Sequence, residues 1–148
     1  MEKVTDMNGS TTPKLQCILE TTLYVDNMER SINFYKNVMQ LESILQTTRL
    51  CAFSVGGKSV LLIFQRGSTL LPFETPGGII PSHNGNGPLH MAFAITHEEL
   101  SAWEQRLNDH RINILSQVKW PRGGTSIYFR DPDEHLIELA TPGLWSIY

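Results

Sequence analysis

Apolar residues along this 148-residue chain follow two alternating periods, one of strands and one of helices. Residues 17–25, CILETTLYV, are rich in apolar and β-branched side chains and predict a strand. Asp26 and Asn27 supply a helix cap, with Glu29 and Arg30 in the first turn. Met28, Ile32, Tyr35 and Met39 then recur at helical spacing, and Phe34 and Val38 widen the stripe. Segments 41–48 and 49–55 read as two more strands, and Gly56-Gly57 turns the chain into the apolar run 60–64. Residues 66–88, dense in Gly, Pro, Ser and Asn, form a linker of the length that joins subunits of a fold or covers a site.

After the linker the pattern starts again. Residues 89–95, LHMAFAI, predict a strand. Thr96 predicts a helix cap, with Glu99 at the capping-box position and Leu100, Trp103 and Leu107 on one helical stripe. Strands follow over 113–120, 125–129 and 135–140, separated by turns at 121–124 and at Asp131-Pro132-Asp133. Laying Glu20 on His90 superposes ETTLYV on HMAFAI and brings both helices into step. The expected fold is therefore α+β: two paired βαβββ modules, residues 15–65 and 89–148, whose open sheet faces form a barrel-like cavity. The single domain would span 15–148, with linker 66–88 between the modules and a mobile tail over 1–14.

Composition narrows the function classes. A net charge of −3 with dispersed Lys and Arg gives no electrostatic footprint for nucleic acid. An apolar content of 41% describes a soluble globular chain, with no run of transmembrane length and no apolar signal core at the N-terminus. Cys17 and Cys51 lack metal or redox spacing and read as reduced core residues, in keeping with a cytoplasmic address.

Three polar residues stand out against this apolar background. Glu20 and His90 hold corresponding places in the two opening strands, and Glu138 sits within HLIELA in the closing strand. A buried glutamate costs several kcal/mol unless a positive group faces it. Two carboxylates and an imidazole converging in a cavity would bind a divalent metal ion, which removes that cost. The alternatives are a hydrogen-bonded rim histidine, a solvent-facing Glu20 and an edge-exposed Glu138.

The strings LYVDNMERSINFYKNVMQLE, HMAFAI and SIYFRDPDEHLIELATPGLW resemble the vicinal oxygen chelate superfamily, over about residues 16–145. That group includes glyoxalase I, fosfomycin-resistance thiol transferases, extradiol dioxygenases and bleomycin-binding proteins. The resemblance implies paired βαβββ modules and a divalent cofactor (Zn, Ni, Mn or Fe) held at Glu20, His90 and Glu138. Leu61-Leu62-Ile63 occupies the place of the further glutamate of glyoxalase I, so the four-ligand set of that enzyme is incomplete. One His and two carboxylates also differ from the two His and one carboxylate of the ring-opening dioxygenases. Glu134 stands where a glycine is usual after D-P-D.

Around this set, Tyr128 is a candidate proton donor or hydrogen-bond partner. Trp120 and Arg122, on the WPRGG turn, are candidates for gripping a substrate anion, and His83 for covering the site or adding a ligand. His97, His110 and His135 read as surface or turn residues without chemistry. The leading functional expectation is a metal-dependent enzyme that chelates vicinal oxygens of a small substrate, of glyoxalase-like lyase or isomerase type. In such an enzyme Glu20 or Glu138 would serve as base. The alternatives are a non-catalytic antibiotic-binding resistance protein and an extradiol-type dioxygenase. Sheet edges and the apolar residues Leu144, Trp145, Ile147 and Tyr148 predict a homodimer.

Overall fold

A computed structural model describes residues 12–148, so most of the tail expected over 1–14 lies outside the described residues. Strand β1 (Glu20–Val25) leads into α1 (Met28–Asn33), whose Asn27 cap accepts the Arg30 backbone N–H through its side chain at 2.9 Å. The helix continues as a π-helical turn, Phe34–Val38, that buries Phe34, Tyr35 and Val38. Strands β2 (Glu42–Gln46), β3 (Leu50–Val55) and β4 (Ser59–Gln65) complete the first module in the spatial order β1-β4-β3-β2. The second module repeats this plan with β7 (His90–Ala94), α2 (Leu100–Asp109), β8 (Ser116–Lys119), β9 (Thr125–Arg130) and β10 (Leu136–Ala140), in the order β7-β10-β9-β8. In each module the opening strand pairs in parallel with the closing one: Glu20 lies opposite Val60, and His90 opposite Leu136.

Period-two alternation divides each sheet into two faces. Leu23, Val25, Leu61 and Ile63 of the first sheet and Ile127, Phe129, Ile137 and Leu139 of the second turn to one shared core. The opposite faces carry Glu20, Thr22 and Tyr24 in one module and His90, Glu138 and Tyr128 in the other. These two open faces do not close into the barrel-like cavity expected from the repeat. β1 and β7 are both edge strands of separate four-stranded sheets, paired only to β4 and β10 among the described residues.

What ties the modules together is the D-P-D-x-H turn. Asp131 Oδ2 accepts the Tyr35 hydroxyl at 2.6 Å, while its Oδ1 accepts the backbone N–H groups of Asp133 and His135. Asp133 accepts the Asp26 N–H at 2.9 Å and the Ser31 hydroxyl at 3.0 Å. His135 is fully buried; its Nδ1 accepts the Leu89 N–H at 2.8 Å, so its Nε2–H donates to the Tyr24 carbonyl at 2.9 Å. The reading of His135 as a surface residue is therefore corrected. Its partners lie 46 and 111 positions away, beyond any local pattern. Burial raises the Asp131 carboxyl above its ordinary range, partly offset by the hydrogen bond from Tyr35.

Several other expectations change. Cys17 is exposed, whereas Cys51 is buried. Helix α2 begins at Leu100 rather than just after Thr96; Glu99 still reaches back to the Thr96 N–H at 3.2 Å. The linker holds a short hairpin, β5 (Phe73–Thr75) and β6 (Gly78–Ile80), that its composition did not suggest.

Candidate functional site

Glu138 is 4% exposed, on the face of β10 turned away from the shared core. β10 is flanked by β9 and β7, so cross-strand neighbours on the same face reach it from both sides. From β9, the Ser126 hydroxyl donates to Oε1 at 2.5 Å and the Tyr128 hydroxyl donates to the same oxygen at 3.1 Å. The Trp120 indole N–H donates to Ser126 Oγ at 2.8 Å. From β7, His90 brings Nε2 within 3.2 Å of the other carboxylate oxygen, Oε2.

The directions of these hydrogen bonds define the chemistry. Two hydroxyl donors on Oε1 fix the orientation of the carboxyl group. Burial, the Glu138 charge and its hydrogen bond all push the Tyr128 phenol up, so Tyr128 keeps its proton and donates. His90 Nδ1 lies 2.9 Å from the Leu136 carbonyl, which can only accept. With Nδ1–H committed to that carbonyl, Nε2 is the ring nitrogen that faces Oε2. An imidazole nitrogen and a carboxylate oxygen side by side are ligand atoms that a divalent cation can share, and a backbone-anchored Nδ1–H is the usual support of a metal-ligating histidine.

Glu20 lies elsewhere in the chain. It is exposed at the start of β1, beside a 510 Å³ cleft between the modules that it shares with Lys58, Met91 and Phe93. Among the described residues no group of three or more His, Cys, Asp and Glu side chains gathers around one point. A single chain thus brings His90 and Glu138 together and leaves Glu20 apart. His83 is also apart. It hydrogen-bonds through Nδ1 to the Tyr24 hydroxyl and meets Phe64 edge-on, with ring centroids 5.1 Å apart, so it belongs to the linker's seal over the first module. Gly85 of the same linker sits so close to the Tyr24 ring that a side chain there would collide with it. Arg122 is exposed on the hairpin turn. Ser126, which reaches Glu138 directly, was missed from the sequence; its position two residues before Tyr128 on one strand face was the available signal.

Residues 18–139 match the family model of the glyoxalase/bleomycin resistance protein/dioxygenase superfamily. The chain belongs to this superfamily. Among its curated relatives, a metallothiol transferase FosB from Staphylococcus saprophyticus is 33% identical over 128 residues, 86% of this chain and 78% of that protein. The phenazine antibiotic resistance protein EhpR from Enterobacter agglomerans is 28% identical over 138 residues, 93% of this chain and 98% of that protein. Among solved structures, a lactoylglutathione lyase from Agrobacterium tumefaciens superposes with a TM-score of 0.82 at 29% identity, covering 90% of this chain and 99% of that one. The glyoxalase-like α+β fold is thereby established, and the superfamily includes metal-dependent and antibiotic-resistance members. No described helix is long and apolar enough to cross a membrane.

Proposed function

We propose that this superfamily member is a divalent-metal-dependent enzyme acting on a small, oxygen-bearing molecule, with His90 and Glu138 as ligands from one chain. The observation that carries this reading is the approach of His90 Nε2 to Glu138 Oε2 at 3.2 Å, each side chain held from behind by hydrogen bonds to its other polar atom. Glu20 completes the set from a second copy, whose first module lies against the open face of β7, β10 and β9. This arrangement explains why Glu20 stands apart within one chain and why Ala92 and Ala94, on that face, remain exposed. Once bound, the ion supplies Lewis-acid polarisation of two substrate oxygens. The chain's own residues fix Glu138, keep a protonated Tyr128 beside it as hydrogen-bond donor, and exclude water on the core side.

Similarity to metallothiol transferases favours group transfer to the substrate over the isomerase or lyase reaction first expected. A cytoplasmic homodimer suits this reading. Metal analysis of the purified protein beside Glu138→Gln tests it. The parent should hold about one divalent ion per chain and the variant almost none, because the amide cannot supply a negative oxygen. The second reading, an antibiotic-sequestering protein without turnover, is favoured by the relation to EhpR. Metal-free parent protein that still binds its ligand would select it.

A further inference from the structure

The route by which Glu138 is held in place extends beyond the residues that touch it. An indole N–H only donates, so in the Trp120–Ser126 contact Ser126 Oγ must be the acceptor. The single Ser126 proton is then free to go to Glu138 Oε1, and the donation has only one direction. Trp120 is itself pinned. Its backbone N–H donates to the Gly124 carbonyl at 2.8 Å, and its backbone carbonyl accepts the Gly123 N–H at 2.9 Å, closing a turn in which Gly123 takes a left-handed φ of +94°. Gly124 is buried against the C-terminal turn: a Cβ there would lie 2.6 Å from the Gly143 carbonyl carbon. The Thr125 N–H also donates to Thr141 Oγ1 at 2.8 Å.

We infer that Trp120 acts through Ser126 as a positioning residue for the Glu138 carboxylate, and does not itself grip substrate as the WPRGG turn first suggested. The relay occupies Oε1 and orients Oε2 toward His90. Without the indole, the Ser126 hydroxyl can turn to other acceptors, and Glu138 gains rotational freedom that metal binding must then remove. This inference rests on the metal reading of His90 and Glu138.

The test is the Mn²⁺ affinity of the full chain, measured by competition with a chromogenic chelator. Parent, Trp120→Phe, Ser126→Ala, the double variant and Ser126→Thr are compared, with circular dichroism to verify folding. Outer-sphere partners of metal ligands are worth about tenfold or more in affinity, so both single variants should bind roughly tenfold more weakly. The double variant should be no worse than Ser126→Ala alone, and Ser126→Thr, which keeps the hydroxyl, should bind like the parent. A merely structural role for the indole predicts none of that non-additivity. Unchanged affinity in Trp120→Phe, or losses that multiply in the double variant, overturns the relay while leaving the metal site standing. A parent that binds no Mn²⁺ overturns both. Should Trp120→Phe fail to fold, benzothienylalanine at position 120, which keeps the bicyclic ring and removes only the N–H, is read the same way: parent-like Mn²⁺ affinity refutes the relay, and a roughly tenfold loss supports it.

Discussion

His135 carries more of the fold than any local pattern around it announces. Both ring nitrogens are used, one accepting from Leu89 and one donating to Tyr24, and each partner sits beside or within an opening strand. Removing the ring strands the part-buried Leu89 N–H and the buried Tyr24 carbonyl and leaves a void. Each unsatisfied group costs about 1–3 kcal/mol and the cavity adds to that. His135→Ala should therefore lower stability by about 3 kcal/mol or more, read as a drop in urea midpoint at unchanged slope. A loss below 1 kcal/mol would mean that the latch between modules lies elsewhere, in Asp131–Tyr35 or in the Arg106 donation to the Val38 carbonyl at 2.7 Å. At this scale the sequence was legible where polarity clashed with its neighbours. Glu138 drew attention because it interrupts an apolar strand, and it proves buried with three side-chain partners. His135 sits in a polar turn, so nothing set it apart, and Ser126 is too small and neutral to mark a buried network.

Elements were readable in proportion to how far local chemistry alone decides them. The opening strands, the Asn27 cap and the closing strands follow from alternation and capping. The expected strand over 17–25 begins only at Glu20, because Ile18 and Leu19 are exposed and pair with little beyond the Leu19 carbonyl's contact to Val60. The β5–β6 hairpin went unseen because each strand is only three residues long, too short for a period-two pattern to show. In the turn before β10, Glu134, standing where a glycine is usual, adopts φ +65°, a left-handed conformation costing a non-glycine residue about 1 kcal/mol. Its N–H still bonds to the Asp131 carbonyl at 3.0 Å, so the turn survives the strain. Glu134→Gly relieves it while adding unfolded-chain freedom, for a net stabilisation of about 0.5 kcal/mol. Thermal melts of the two proteins check this; a lower melting temperature in the variant would show that the glutamate stem, not the backbone, governs this turn.

At the scale of the whole molecule, the internal repeat predicted two matching sheets. Both strand orders, β1-β4-β3-β2 and β7-β10-β9-β8, follow one plan. How the open faces are used was not legible, because the same alternation fits a cavity inside one chain and one shared by two. One chain turns its core faces inward and leaves the other faces apart, with Glu20 remote from the His90–Glu138 pair. If two copies share each site, every site takes Glu20 from one and His90 with Glu138 from the other. Glu20→Gln and Glu138→Gln homodimers would then both lack metal. A mixed dimer would have one site with both defects and one with neither. Unfolding and refolding an equimolar mixture should thus restore about a quarter of the parent's metal capacity, since about half of the dimers are mixed and each has one intact site. Metal content measured after gel filtration of the refolded dimer decides the matter. Recovery in the mixture but in neither variant alone places the two carboxylates on different chains. No recovery, with both variants metal-free and the parent refolding to full capacity, returns both carboxylates to one chain, whereas a Glu20→Gln homodimer that keeps its metal removes Glu20 from the site.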